Sequence, residues 1–313
     1  MSTYRVLVSC PLIIDAIDEF AETFAQHDIA YDVIEVDQQL SEQQLLEVIG
    51  PYHGILAGDD EITRDVIAEA DHLQVISKWG IGTDGIDHDA AAAHGIAVAN
   101  TPGVFNDEVA DVVIGYTVML TRGLHLVDAA VRRGEWATPQ GVSLAQRTMG
   151  VIGVGGIGAG VLRRAHSMGM ELLANDIVPI DDELRERYDV RQVELPELLA
   201  AADVVSLNCV LTDATRGIIG TSELELLGPD GYLINTARGG LIDEPALITA
   251  LQERSIAGAA LDVFAAEPLD PDHPFTQMEH VILGSHNAQN TAEAVTRTHE
   301  LAVRNLIEGL TPT

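Results

Sequence analysis

The chain has 313 residues, 47% of them hydrophobic, and a formal net charge of −32 from 49 acidic against 17 basic residues. That length exceeds what one core organises and predicts two domains, while the hydrophobic content excludes a disordered chain. The acidic balance excludes nucleic acid as a partner, because phosphate binding needs a basic face, and no apolar run approaches the ~20 residues needed to span a bilayer.

The N-terminus runs straight into Val6-Leu7-Val8 without a basic start or a small-residue cleavage site. No signal peptide is therefore expected, and the protein is expected in the cytoplasm. Cys10 and Cys209 lie far apart in strand-like runs and read as buried apolar residues of a reducing compartment, not as a disulfide or a metal site. Short apolar runs at 5–9, 31–36, 54–57, 73–79 and 96–99 alternate with longer helical patterns. A second series follows at 148–154, 171–176, 204–209, 232–236, 258–264 and 280–283. Continuous apolar runs separated by helices predict parallel strands covered on both faces, here in two doubly wound α/β domains.

Lys78 is the only lysine in the chain. A dense acidic surface almost without lysine fits a saline cell interior; genome bias towards arginine is the alternative. Asp84, Asp87, His88 and Asp89 are grouped without metal-ligand spacing and read as a turn and helix start; no metal site is expected. The turn signal Asn100-Thr101-Pro102-Gly103 precedes a helical segment over 107–133, and a second break falls at Gly284-Ser285 before a helix over 291–310. The stretch 181–187 reads as a solvated face.

The strand run ending at Ile152 enters Gly153-Val154-Gly155-Gly156-Ile157-Gly158, and a helical pattern follows. This is a G-x-G-x-x-G in its required strand–turn–helix context. Glycines there permit a tight turn, close approach to a pyrophosphate and close packing of helix on strand, and the new helix's N–H groups receive the anion. Asp176 ends the next strand run, where a carboxylate binds ribose hydroxyls and repels a 2′-phosphate. NAD is therefore the expected cofactor. A glycine-rich turn in another α/β protein, with Asp176 on the surface, is the bland alternative.

Three later strand runs each lead into a polar residue: Arg238 after Asn235-Thr236-Ala237, Glu267 after Asp262-Val263-Phe264, and His286 after Gly284-Ser285. Ligands bind outside the carboxyl ends of parallel strands, so the three can converge on one crevice. Reduction of a 2-keto acid needs a hydride donor, a proton donor and a cation for the carboxylate. Arg238 offers a planar fork for carboxylate and carbonyl oxygens. His286 is suited to proton transfer near neutral pH. Glu267 can hydrogen-bond the imidazole and fix its tautomer. Singly, each has a structural reading as a capping arginine, a loop acid or an interface histidine; jointly they point to catalysis.

With these motifs in this order, the sequence resembles the D-isomer-specific 2-hydroxyacid dehydrogenases, particularly the phosphoglycerate dehydrogenase-like branch. Lys78-Trp79-Gly80-Ile81-Gly82-Thr83-Asp84, the glycine loop, Asn235-Thr236-Ala237-Arg238-Gly239, Leu261-Asp262-Val263-Phe264 with Glu267-Pro268, and Ser285-His286 carry the resemblance. It implies a Rossmann nucleotide domain, 100–285, inserted into a flavodoxin-like substrate domain made of 1–99 and 286–313. It implies Arg238, Glu267 and His286 as the catalytic trio. It places Gly80-Ile81-Gly82 at the substrate carboxylate, with Lys78 and Trp79 beside it. It sets Asp262, Thr236 and Ala237 near the nicotinamide amide, and Cys209, Val210 and Leu211 on the adenine side. The family's dimers imply a homodimer, with 107–133 carrying much of the contact. The segment reads Gly-Ser-His-Asn where Thr-Pro-His is commoner, and Trp79 replaces a small residue. The sequence stops at Thr313, so a serine-regulated extension is not expected.

The expected activity is hydride transfer between NAD(H) and a small D-2-hydroxy or 2-keto acid, with a 3-phosphoglycerate-like acid as one candidate. The lysine beside the carboxylate loop would then meet the substrate's far end. A glyoxylate or hydroxypyruvate reductase is the alternative. An NAD(H)-sensing corepressor-like binding protein is the alternative from another class, and it would need no Arg–Glu–His set.

Overall fold

Five of the apolar runs form one parallel sheet, and the other six form a second together with one further strand, in the computed structural model, which describes residues 3–311. The chain divides into two units, Met1–Val104 with Thr291–Thr313, and Phe105–Asn290. These borders fall five residues beyond the expected ones, 99/100 and 285/286. The Thr101 amide donates to the Gly80 carbonyl and ties the first turn to the first unit. The His286 amide donates to the Asp262 carbonyl and ties the second to the second unit.

The first unit holds β1 (Tyr4–Val8), β2 (Ile29–Val33), β3 (Gly54–Ala57), β4 (Val75–Lys78) and β5 (Ala97–Ala99), in the order β2-β1-β3-β4-β5. This is the flavodoxin-like doubly wound order. Successive strand side chains point to opposite faces, so Leu7, Ile55 and Ile76 build one core layer and Val6, Val8, Leu56 and Val75 the other. The second layer is completed by the helix Ala292–Leu310 through Ala302, Val303, Leu306 and Leu310. Thr291 caps that helix, its side chain accepting from the Ala294 amide. Asp87 caps the helix His88–Ala93 in the same way, which accounts for the acidic group around it.

The second unit holds β6 (Thr148–Ile152), β7 (Glu171–Asn175), β8 (Val190–Gln192), β9 (Val204–Leu207), β10 (Tyr232–Asn235), β11 (Gly258–Leu261) and β12 (Val281–Leu283). Their order, β12-β11-β10-β9-β6-β7-β8, reverses direction between β6 and β9. That reversal is the Rossmann switch point, where a crevice opens at the strands' carboxyl ends. The 107–133 segment is two helices, Asn106–Arg122 and Leu124–Arg132, bent by 66° at Gly123, whose φ of +58° breaks the hydrogen-bond ladder. Asp107 and Asp111 on the first pair with Arg163 and Arg164 on the helix Gly156–Ser167. Residues 181–187 fall largely within an exposed helix, Asp182–Tyr188. No single helix among the described residues is long and apolar enough to cross a membrane.

Candidate active site

The glycine loop joins β6 to the helix Gly156–Ser167. A Cβ at Gly158 would overlap the Gly153 carbonyl oxygen, so only glycine lets the helix start this close to the strand. A Cβ at Gly155 would meet open space. Gly155 is thus free of packing duty and leaves the backbone open to a pyrophosphate at the helix start, which also carries the Gly156 and Ile157 amides. Asp176 follows β7; its Oδ2 accepts from the Val154 amide at 2.7 Å and its Oδ1 from the Val178 amide at 3.1 Å. Each oxygen keeps a lone pair for a ribose hydroxyl. Past β9, Cys209 is half-buried, and burial pushes its thiol up to about 11. Val210 is 67% exposed, and Leu211 packs against the core.

Arg238 stands three residues past β10 on a turn shaped by the buried Asn235. The Asn235 carboxamide accepts from the Ala237 amide at 3.1 Å and donates to the Arg238 carbonyl at 2.8 Å. The hydroxyl oxygen of Thr236, on the same turn, is buried with no protein hydrogen-bond partner. Orphaned buried hydroxyls are costly and mark places where a ligand completes the bonding. With the open Gly155 and the Asp176 carboxylate, it fits the second unit to a dinucleotide.

Glu267 follows β11. Its Oε1 accepts from the Phe264 amide at 2.9 Å, which fixes the carboxylate, and its Oε2 lies 2.8 Å from the Nδ1 of His286. Both side chains are about four-fifths buried, at 21% and 18% exposure. Arg238, Glu267 and His286 therefore leave the ends of three adjacent strands, β10, β11 and β12, as the sequence pattern anticipates.

The histidine sits in a left-handed conformation, φ +55°, unusual for a residue with a side chain. Asp262, 2% exposed, holds it there. The Asp262 carbonyl accepts from the His286 amide at 2.7 Å, and its carboxylate accepts from the amides of Asn287 and Ala288 at 3.2 and 2.9 Å. Successive amides around a left-handed residue form an anion nest, and the protein fills this one with its own carboxylate. Burial, then the charge of Asp262, push the Tyr116 phenol up to about 12, so Tyr116 remains a protonated neighbour of that carboxylate. The resemblance sets Asp262 near the nicotinamide, and Tyr116 falls in the helical segment expected over 107–133. Helical spacing cannot show that a tyrosine's hydroxyl end reaches a carboxylate 146 positions on.

In the first unit, Lys78, Trp79, Gly80, Ile81 and Gly82 follow the end of β4. Lys78 is 5% exposed, and its Nζ lies 3.0 Å from Asp59 Oδ1 and donates to the Trp79 carbonyl at 3.0 Å. It is neither a solvated strand-end lysine nor a surface pair. Trp79 turns inward, 4% exposed, and its indole N–H donates to His299 Nδ1 at 2.9 Å. Asp60 is also buried, and burial raises its carboxyl although Ser9 and the Leu40 and Gly58 amides donate to it. No sequence pattern distinguishes this buried acid from the partly exposed Asp59 beside it.

Residues 114–288, more than half of the chain, match the family model described as D-isomer specific 2-hydroxyacid dehydrogenase, NAD binding domain. A glyoxylate reductase of Thermofilum pendens is 40% identical over 261 residues, covering 79% of this chain and 75% of that protein. A D-3-phosphoglycerate dehydrogenase of Methanocaldococcus jannaschii is 37% identical over 294 residues, covering 93% of this chain; the chain spans only about half, 54%, of that relative. Among solved structures, the D-lactate dehydrogenase of Aquifex aeolicus, complexed with NAD and lactic acid, superposes with a TM-score of 0.86 at 25% identity, covering 96% of this chain and 93% of that one.

Proposed function

The chain belongs to the D-isomer specific 2-hydroxyacid dehydrogenase family, and from that premise we propose that Arg238, Glu267 and His286 carry a reversible hydride transfer between NAD(H) and a short 2-keto or 2-hydroxy acid. The observation that carries the proposal is the 2.8 Å contact of Glu267 with His286 Nδ1, beside Arg238 on the next strand but one.

When bound, the nicotinamide gives or takes the hydride at the substrate's C2. Arg238 binds the C2 oxygen and a carboxylate oxygen with its fork, and so polarises the carbonyl. Glu267 engages Nδ1 of His286 and orients the ring, and Nε2 delivers a proton to the forming alkoxide in reduction and removes it in oxidation. The amides of the Gly80-Ile81-Gly82 loop take the substrate carboxylate. Thr236 and Ala237 lie on the nicotinamide side, with the orphaned Thr236 hydroxyl as an additional donor or acceptor. Asp176 binds the adenosine ribose and disfavours a 2′-phosphate, and Cys209, Val210 and Leu211 flank the adenine.

A 3-phosphoglycerate-like acid and acids of the glyoxylate or hydroxypyruvate type are both candidate substrates, and the only lysine, already engaged by Asp59, does not decide between them. On the second unit, Leu124, Val131, Trp136 and Val142 are exposed apolar residues on the helix Leu124–Arg132 and the segment after it, with Trp136 at 87% exposure. Such a patch supports a homodimer formed through this unit. The two cysteines are free, which supports a cytoplasmic setting.

The test is oxidation of NADH, and separately of NADPH, with a panel of 2-keto acids. Turnover with NADH preferred is the expected result. Binding of NADH without turnover of any 2-keto acid sinks the catalytic reading and favours a nucleotide-sensing role.

A further inference from the structure

Lys78, the only lysine of the chain, is buried, and what it holds defines its role. Three consecutive carbonyls beyond β4 are each pinned by a donor. Lys78 Nζ donates to the Trp79 carbonyl at 3.0 Å, the Thr101 amide donates to the Gly80 carbonyl at 2.9 Å, and the Asn100 carboxamide donates to the Ile81 carbonyl at 2.7 Å. The Trp79 and Gly80 amides are also used, donating to the Ala57 carbonyl and the Thr101 hydroxyl. Among the described residues, no acceptor takes the amides of Ile81 and Gly82. A backbone with its carbonyls tied down and two successive amides unused presents donors to an anion. Gly80, at φ +123°, makes the turn, and a Cβ on it would stand 3.4 Å from the Lys78 ammonium, so the lysine lies directly under the loop. Asp59 Oδ1, 3.0 Å away, compensates the buried charge.

We propose that Lys78 is a positioning residue for the substrate carboxylate: held by Asp59 and bonded to the Trp79 carbonyl, it sets the Gly80-Ile81-Gly82 backbone so that the Ile81 and Gly82 amides face the anion, and it does not touch the substrate's far end. This rests on the reading that the loop receives the carboxylate. It differs from the expectation that this lysine meets a phosphate or second carboxylate. An ammonium that reached for a distal anion would have to leave both Asp59 and the Trp79 carbonyl, exposing a buried carbonyl without a donor. The consequence is a site indifferent to the charge of the substrate's tail as far as Lys78 is concerned.

The experiment compares Lys78→Met and Asp59→Asn with the parent enzyme on glyoxylate, which has no tail, and on 3-phosphohydroxypyruvate, whose tail is anionic. NADH affinity is followed separately by fluorescence. Lys78→Met is expected to raise KM for both acids by one common factor, about tenfold or more for the loss of one hydrogen bond to a charged group, with NADH affinity unchanged. The double variant is expected to be no worse than Lys78→Met alone, because Asp59 acts through the lysine. A rise confined to phosphohydroxypyruvate, or an unchanged KM for both acids, overturns the proposal. Should Lys78→Met not fold, Asp59→Asn decides. A common rise in KM supports positioning, whereas a selective gain in affinity for the phosphorylated acid means the released lysine reaches the tail and overturns it. A parent enzyme that turns over neither acid overturns the proposed function as well; turnover with identical constants in parent and variants overturns the Lys78 assignment alone.

Discussion

Two loops, each following the carboxyl end of a parallel strand, solve opposite problems. In the first unit, donors from Lys78, Thr101 and Asn100 tie up the carbonyls of Trp79, Gly80 and Ile81, and the proposed working groups of the loop are its remaining backbone amides. In the second unit the proposed working group is the side chain of His286. There the backbone amides of 286, 287 and 288 are all taken by Asp262, and the imidazole is left to Glu267. On the proposed roles, what a loop gives away in hydrogen bonds follows from which of its parts acts. The comparison also separates two kinds of residue that composition cannot: a buried charge that shapes a loop, and a partly exposed one proposed to meet a ligand.

The sharpest way to break this comparison is to truncate one side chain in each loop. His286→Ala is expected to fold normally and lose about 10²–10⁴-fold in turnover, and Arg238→Ala to lose turnover comparably. Ile81→Ala, which keeps its amide, is expected to leave kcat/KM close to the parent value. Circular dichroism checks folding and steady-state kinetics the rest; near-native rates in His286→Ala remove the mechanism.

Adding one methyl group to each loop comes next. At Gly284 a Cβ would overlap the Asp262 carboxylate and crowd the Tyr116 hydroxyl, so Gly284→Ala is expected to lose about 1–3 kcal/mol of stability and to lower kcat by displacing His286. Gly80→Ala forces a side chain into φ +123°, at a cost of about 1–3 kcal/mol, and is expected to raise KM for the keto acid instead. If both variants affect the same kinetic constant, the two loops do not divide the work as described. Tyr116→Phe removes only the hydroxyl beside Asp262, and a loss of about 1 kcal/mol in urea unfolding is expected.

A pH titration probes the first loop from behind. Burial lowers the pKa of His299, which accepts the Trp79 indole hydrogen bond, below its ordinary 6.5. The unfolded chain therefore binds the proton more readily than the folded one. The neutral histidine's contribution is fully present above pH 6.5 and is lost as the pH falls below it. His280, also lowered by burial, adds to the same slope. Urea midpoints at pH 5 and pH 7.5 should differ in the parent and differ less in His299→Gln; equal slopes in both would detach His299 from the effect. The weakest expected change is common to both loops. At a net charge of −32, added salt should raise the melting temperature by screening repulsion. A flat response returns the scarcity of lysine to genome bias.

The sequence showed the strands most clearly where apolar runs are continuous: each of the eleven runs overlaps a strand. It missed β8, because Val190-Arg191-Gln192 pairs only with β7 at the sheet edge and needs no apolar face. It ran two helices together at Gly123, since apolar spacing continues through the bend. The placement of Arg238, Glu267 and His286 past the ends of three neighbouring strands was legible because each follows an apolar run. The supports behind them were not. Asn235, Asp262, Tyr116, Asp59 and Asp60 act through partners distant in sequence, and nothing in their spacing tells a buried acid from a solvated one.

The helix Ala292–Leu310 carries a consequence for how the protein is made. Its residues Ala302, Leu306 and Leu310 complete the core layer of β1, β3 and β4, and the Ala302 carbonyl accepts the buried Ser77 hydroxyl's hydrogen bond at 2.7 Å. All of Phe105–Asn290 is synthesised between those strands and that helix. On the ribosome the second unit can therefore finish folding while the first still exposes Val6, Leu56 and Val75 on one face of its sheet. Until residue 310 has left the exit tunnel, that face is a binding surface for chaperones and a hazard for aggregation. Ribosome-arrested chains with a C-terminal linker that carries only residue 290 out of the tunnel should present it, and those with a linker that carries residue 310 out should not.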